Sequence, residues 1–119
     1  MESTKKSWDK WELIAIKYLQ WKWYKIIDTN YKFSRFWEID IICSKNNITC
    51  FVEVKYRSSI KYWIPEESIN KNKIYKISKT IYAYCFKNNV DIESIRFDVI
   101  AIIKWEKSYK LTHYKNLEL

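Results

Sequence analysis

Two short apolar segments, Glu38 to Ser44 (EIDIICS) and Ile48 to Arg57 (ITCFVEVKYR), stand either side of the polar triplet Lys45-Asn46-Asn47. Segments this short and this rich in β-branched residues read as strands, and the polar triplet joins them as an antiparallel hairpin. Side chains alternate across a strand, so Glu53 and Lys55 leave one face of the second segment while Val52 and Val54 leave the other. Asp40 lies among Ile39, Ile41 and Ile42 on the first segment. A chain that places a carboxylate in each of two adjoining apolar strands must give those charges partners, because an unpaired buried charge is strongly disfavoured.

The remaining periodicities fill out a chain of the α/β class. Residues 8 to about 22 carry Ala15, Ile16 and Leu19 on one stripe at helical spacing, and Glu12 falls on that stripe. Tyr24 to Tyr31 reads as a first strand centred on Ile26 and Ile27. Pro65, Glu66 and Glu67 mark a break and the start of helical structure. From Asn70 the residues Ile74, Ile77, Ile81 and Cys85 recur with a helical period that ends at Asn88-Asn89. Ile95 to Ile103 (IRFDVIAII) has the dense apolar character of a central strand, and a short strand around Tyr109 to Tyr114 follows. The order α-β-β-β-α-β-β predicts a mixed sheet flanked by helices, in one domain spanning residues 1–119.

Charge narrows the partners. A formal net charge of +8 and a pI near 9.3 suit a polyanion, since neutralised phosphates release condensed counterions. Lysine supplies 19 of the 22 basic residues, so a solvated lysine-rich surface accounts for the charge equally well from composition alone. Cys43, Cys50 and Cys85 are too few and too far apart for a zinc cluster or a disulfide framework, and their apolar settings predict reduced core thiols. No stretch approaches the ~20 apolar residues of a membrane helix. Lys5, Lys6, Asp9, Lys10 and Glu12 interrupt the region where a secretory apolar core would lie. A cytoplasmic protein with no membrane partner is the expectation.

The charged residues of the hairpin match the parts needed to hydrolyse a phosphodiester. Asp40 and Glu53, converging across the hairpin, would supply hard oxygen ligands to Mg²⁺, with Mn²⁺ able to substitute. Lys55 would orient the attacking water and stabilise the charge that grows in the transition state. Glu12, arriving from the first helix, would complete the metal site or hydrogen-bond to it. An E-x-K tripeptide is also a common surface ion pair, and a lone Asp in a strand is often structural, so spacing alone leaves both readings open.

The segments WELIAIKYL, WEIDIICS, FVEVKYRSS, WIPEES and IRFDVIAI, in this order, resemble the YraN family of small bacterial endonuclease-like proteins, from about Trp8 to His113. That family belongs to the PD-(D/E)xK nucleases and is similar to archaeal Holliday-junction resolvases. The resemblance implies a restriction-endonuclease-like fold and a Mg²⁺-dependent endonuclease acting on DNA more than RNA, with branched DNA among its substrates and a homodimer as its assembly. It places Glu12 at the first-helix glutamate and Glu38 and Asp40 in the family's E-I-D. Glu53 and Lys55 fall in its E-x-K, and Arg57 at the basic residue that follows. It puts Asp98 in a structural or supporting position. Arg57, Arg35 and Lys71 are the expected nucleic-acid contacts. Two rivals stand beside this reading: a non-catalytic nucleic-acid-binding module of the same fold, and an adaptor whose basic helix around Lys71 to Lys79 binds an acidic protein. His113 is expected to take a surface or structural role rather than a catalytic one.

One departure from the family is systematic. The chain has no glycine, and Trp8, Trp11, Trp23, Trp37 and Trp63 stand where the family has glycine. At a left-handed turn position a Cβ costs ~1–2 kcal/mol before any clash of an indole. The pattern fits a gene in which UGA is meant as glycine and has been read as tryptophan, and the abundance of Lys, Ile, Asn and Tyr fits an AT-rich genome; the alternative is a lineage that favours aromatics for stacking on bases.

Overall fold

The computed structural model describes residues 8–35, 37–58 and 71–119. Helix α1 spans Lys10–Trp21 and buries Ala15, Ile16 and Leu19. Its first turn is capped by Asp9, whose carboxylate accepts the Glu12 N–H at 2.7 Å. Its last turn closes in a Schellman motif, in which Trp23 N–H donates to the Gln20 carbonyl at 3.0 Å and Tyr24 N–H to the Leu19 carbonyl at 2.9 Å. That motif forces the residue after the cap into left-handed backbone, and Trp23 sits there at φ 72°. The other described tryptophans at family glycine positions are not at positive φ. They find contacts instead: Trp8 Nε1 donates to Thr29 Oγ1 at 3.0 Å, and the Trp11 ring stacks on Tyr56 with centroids 4.0 Å apart. Backbone strain therefore argues for glycine at Trp23 alone; Trp63 lies outside the described residues.

Strands β1 (Lys25–Phe33), β2 (Trp37–Lys45) and β3 (Ile48–Arg57) form an antiparallel meander. Asn46 and Asn47 turn between the last two with φ of 53° and 65°, so asparagine, which tolerates this region, does the work of the missing glycines. Helix α2 (Lys71–Asn88) follows, then a 3₁₀ turn at Ile92–Ser94, β4 (Ile95–Trp105) and β5 (Ser108–Tyr114). Sheet order is β1-β2-β3-β4-β5, with β4 parallel to β3 and every other pair antiparallel. A parallel neighbour needs a crossover, and the connection containing α2 supplies it. The expected break and helix start at Pro65, Glu66 and Glu67 lie outside the described residues.

One face of the sheet packs Ile41, Cys43, Cys50, Val52, Ile100 and Ile102 beneath α1. The other packs Ile39, Ile42, Phe51, Phe97, Val99 and Ala101 beneath α2. Strand β4 is buried on both faces, which is why its sequence reads as a nearly continuous apolar run. The three cysteines are free and buried. No helix among the described residues is long and apolar enough to cross a membrane.

Asp98 interrupts that run because it anchors a buried network. Arg96 grips it through Nε to Oδ1 and Nη2 to Oδ2, both at 2.9 Å, and the Asn116 N–H donates to Oδ1 at 3.0 Å. His113 Nε2 lies 2.7 Å from Oδ2, and its Nδ1 lies 3.0 Å from the Tyr18 hydroxyl. With the proton on Nε2, His113 donates to Asp98 and accepts from Tyr18, which satisfies both ring nitrogens. Burial alone would raise the Asp98 pKa, but the bonds from His113, Arg96 and Asn116 outweigh it and hold the carboxyl below its ordinary value. The network ties β4, β5, the C-terminal segment and α1 together, as the structural expectation for Asp98 and His113 requires.

Candidate metal centre

The β2–β3 ladder runs from Lys45 opposite Ile48 to Ile41 opposite Val52. Beyond that point carboxylates take over the role of strand carbonyls: Asp40 Oδ2 accepts the Val54 N–H at 2.8 Å, and Glu53 Oε1 accepts the Asp40 N–H at 3.4 Å. Face alternation slips at the same place, with Ile39 packed on the α2 side and Ile41 on the α1 side. The strands part here, and an opening of about 480 Å³ forms between them and the start of α1, lined by Glu12, Glu38, Asp40, Glu53 and Lys55 among others.

Four residues expected from sequence to act together, Glu12, Asp40, Glu53 and Lys55, line this one opening. The sequence expects Asp40 and Glu53 as the ligands, and both line the opening. The carboxylates that come closest to a shared point are Glu12, Glu38 and Asp40, each offering an oxygen within 4.8 Å of the others. Glu53 stands behind Asp40, only 4% exposed, its Oε2 accepting the Trp37 indole N–H at 3.0 Å. Asn30 bridges the remaining acids, its amide donating to Glu38 Oε2 at 2.8 Å and to Glu12 Oε2 at 3.4 Å.

Glu38 could have been found from sequence, because it lies two residues from Asp40 on the same strand. Asn30 could not. It reaches the site because β1 shifts register between Ile26 and Asp28 and because Asn30 itself adopts φ 53° within the strand. Trp37 enters as a hydrogen-bond donor, a role its place in the sequence does not signal.

The electrostatics are those of crowded, half-dry acids. Burial, followed by the charges of Glu12 and Glu38, raises the Asp40 carboxyl to about 7, although its bond from Val54 and the nearby Lys55 pull the other way. Burial and then the charge of Asp40 raise Glu53 to about 8, against the opposing pull of Lys55. Glu12 is also raised, by burial first and then by Asp9. An all-oxygen donor set whose members repel one another suits a hard divalent cation, which would relieve both repulsion and desolvation. Among the described residues, Glu12, Glu38 and Asp40 are the acids placed to share one ion.

The aromatic wall of the opening is the stacked pair Trp11 and Tyr56, with Tyr109 edge-on to Trp11 at 6.0 Å. The expected nucleic-acid contacts are Arg57, Arg35 and Lys71. Arg57 is exposed at the end of β3, its guanidinium donating to the Tyr56 carbonyl at 2.8 Å. Arg35 lines a shallow hollow beside Trp37 and Glu38, and Lys71 is exposed at the start of α2.

Comparison with known proteins gives a consistent picture. The profile described as "Uncharacterised protein family UPF0102" matches residues 11–102. A UPF0102 protein of Flavobacterium psychrophilum is 41% identical over 105 residues, covering 88% of this chain and 87% of the relative. One from Alkaliphilus oremlandii is 41% identical over 107 residues, covering 88% and 91%. One from Natranaerobius thermophilus is 45% identical over 97 residues, covering 81% and 82%.

Proposed function

The chain belongs to the UPF0102 family, the same family as YraN, and from that premise we propose that it is a metal-dependent phosphodiester hydrolase acting on DNA. The observation that carries this reading is the convergence of Glu12, Glu38 and Asp40 beside Lys55 on a chain whose net charge is +8. A basic protein that concentrates carboxylates at one opening has made a cation site within a surface that attracts phosphate.

A divalent ion there would supply Lewis acidity to a phosphoryl oxygen and make water a better nucleophile at neutral pH. The chain's own residues do the rest. Glu12, Glu38 and Asp40 would hold the ion, and Asn30 fixes the glutamate oxygens. Glu53 braces the Asp40 backbone, so a change at Glu53 misplaces the neighbouring ligand. Lys55, on the same strand as Glu53, orients the attacking water and balances the negative charge that develops at phosphorus. The preference for DNA, the branched form of that DNA and a dimeric assembly rest on the resemblance to Holliday-junction resolvases. Mg²⁺, with Mn²⁺ as substitute, rests on the oxygen-only donor set.

The test is cleavage of a labelled panel (single strand, duplex, flap and four-way junction) with either metal, comparing the parent with Asp40→Ala and Glu53→Ala. Cleavage that both substitutions abolish while DNA binding persists supports the hydrolase and names its substrate shape. Binding without cleavage under either metal points instead to a non-catalytic nucleic-acid-binding module.

A further inference from the structure

Helix α2 has a second stripe besides the one it buries. Lys71, Tyr75, Lys79, Tyr82 and Phe86 recur at spacings of three and four residues and all face solvent. Tyr75 is 54% exposed, Tyr82 51% and Phe86 92%, which is unusual for three large rings in line on one helix. The Lys79 ammonium lies 5.4 Å from the Tyr75 ring centroid, so cation and ring already share one spot. Beside Phe86 a hollow of about 480 Å³, lined by Tyr82, Cys85, Asn89, Val90 and Ile92 as well, is open to a flat group.

The charge of the helix selects the occupant. α2 contains Lys71, Lys73, Lys76, Lys79 and Lys87 and no Asp or Glu. A second copy packed antiparallel on this stripe would bring Lys79 against Lys79, so self-pairing is disfavoured. Asp91 and Glu93 follow the helix at its Phe86 end, which leaves the Lys71 end as the basic one. Rings in line with lysines on an exposed helix face suit a flexible polyanion that carries its own flat groups. The rings are about 10 Å apart from Tyr75 to Tyr82 and about 6 Å apart from Tyr82 to Phe86 along the axis.

We propose that the outer face of α2 is a docking track for single-stranded nucleic acid, with Tyr75, Tyr82 and Phe86 stacking on bases and Lys71 and Lys79 meeting phosphates. This deepens the hydrolase reading by giving the protein a hold on an unpaired strand away from the acidic opening. That fits a substrate with single-stranded character, such as a flap or an unpaired arm.

The test is fluorescence anisotropy of a labelled oligothymidine of ~20 nucleotides at several salt concentrations, with EDTA present so that cleavage plays no part. The combined variant Tyr75→Leu, Tyr82→Leu, Phe86→Leu keeps apolar bulk but removes stacking, and its affinity is expected to fall ~10–100-fold with an unchanged salt slope. Lys71→Gln with Lys79→Gln is expected to flatten the log–log salt slope by about 1.4. Phe86→Leu alone, at a site too exposed to matter for folding, is expected to weaken binding about fivefold. Affinities of all three variants within twofold of the parent overturn the inference, as does a dimeric parent that the leucine variant converts to monomer. Binding and cleavage are read separately, so loss of binding without any nuclease activity supports the track and removes the hydrolase, while cleavage with unaltered binding does the reverse.

Discussion

Replacing Trp23 by glycine and, separately, by alanine isolates one backbone dihedral. Both substitutions remove the same indole, and Trp23 is 84% exposed. The burial lost is about 30 Å², taking a Trp side chain as roughly 200 Å². At roughly 25 cal/mol per Å² that is about 0.8 kcal/mol, common to both variants. They differ in the Cβ that alanine keeps at φ 72°. Left-handed backbone costs a residue with a Cβ ~1–2 kcal/mol, while glycine gives back ~0.5–1 kcal/mol through its freer unfolded chain. Trp23→Gly should therefore be more stable than Trp23→Ala by about 1 kcal/mol, or roughly 3–6 °C in Tm for a domain this size. Trp21, 72% exposed at the last residue of α1 and not at positive φ, is the control: there alanine should be at least as stable as glycine, since nothing at that position favours a missing Cβ. Chemical denaturation of the four variants reads both differences. Equal stabilities for the two Trp23 variants, or alanine the better of them, would refute the left-handed cap and with it the structural argument that a glycine belongs there. The coding DNA gives an independent reading, since a TGA codon at position 23 is expected and TGG contradicts the recoding.

The remaining predictions concern charge. Asp40→Asn should stabilise the metal-free protein at pH 8 by on the order of 4 kcal/mol and leave it nearly unchanged near pH 4, as thermal melts at the two pH values would show. The sign follows from a folded pKa raised to about 7: the folded state holds a proton that the unfolded chain has released, so stability falls as pH rises toward that value. Mn²⁺ affinity should tighten between pH 6 and about 8, with proton release visible as buffer-dependent heats in calorimetry. A pH-independent affinity would contradict the crowded-acid account. Asp98→Asn should destabilise the fold by about 3–5 kcal/mol at pH 7, because it leaves Arg96 facing a neutral side chain in a buried network. Asp98 is held below its ordinary pKa, so in the parent its contribution is complete above about pH 4 and is lost only in stronger acid. A loss under 1 kcal/mol by urea denaturation would contradict the role assigned to it.

The hairpin was legible because its signals are local. Alternating apolar residues, a two-asparagine turn and three charges out of keeping with their neighbours announce both the strands and the site. The central place of β4 was legible too, from a dense apolar segment that needs cover on two faces, while its parallel pairing with β3 was not. What sequence could not supply is where strand geometry changes. The register shift near Ile27 brings Asn30 to the acids, and the slip at Asp40 turns Glu53 into a brace behind the acids that gather at the opening. Both arise from how neighbouring strands fit together, which no window along the chain records. The tryptophans divide in a similar way. A resemblance groups five of them, but the cap geometry singles out Trp23, whereas Trp8, Trp11 and Trp37 have hydrogen-bond or stacking partners that a tryptophan can use.

The account stands most directly on one comparison: metal-dependent cleavage of a labelled four-way junction by the parent, Asp40→Asn and Lys55→Ala, with Mn²⁺ binding measured on the same samples. The parent should bind Mn²⁺ and cleave, Asp40→Asn should lose both, and Lys55→Ala should keep the metal while cleavage falls by at least ~100-fold. Unchanged cleavage by Asp40→Asn, or a parent that neither binds Mn²⁺ nor cuts, would contradict a metal-dependent hydrolase at this opening.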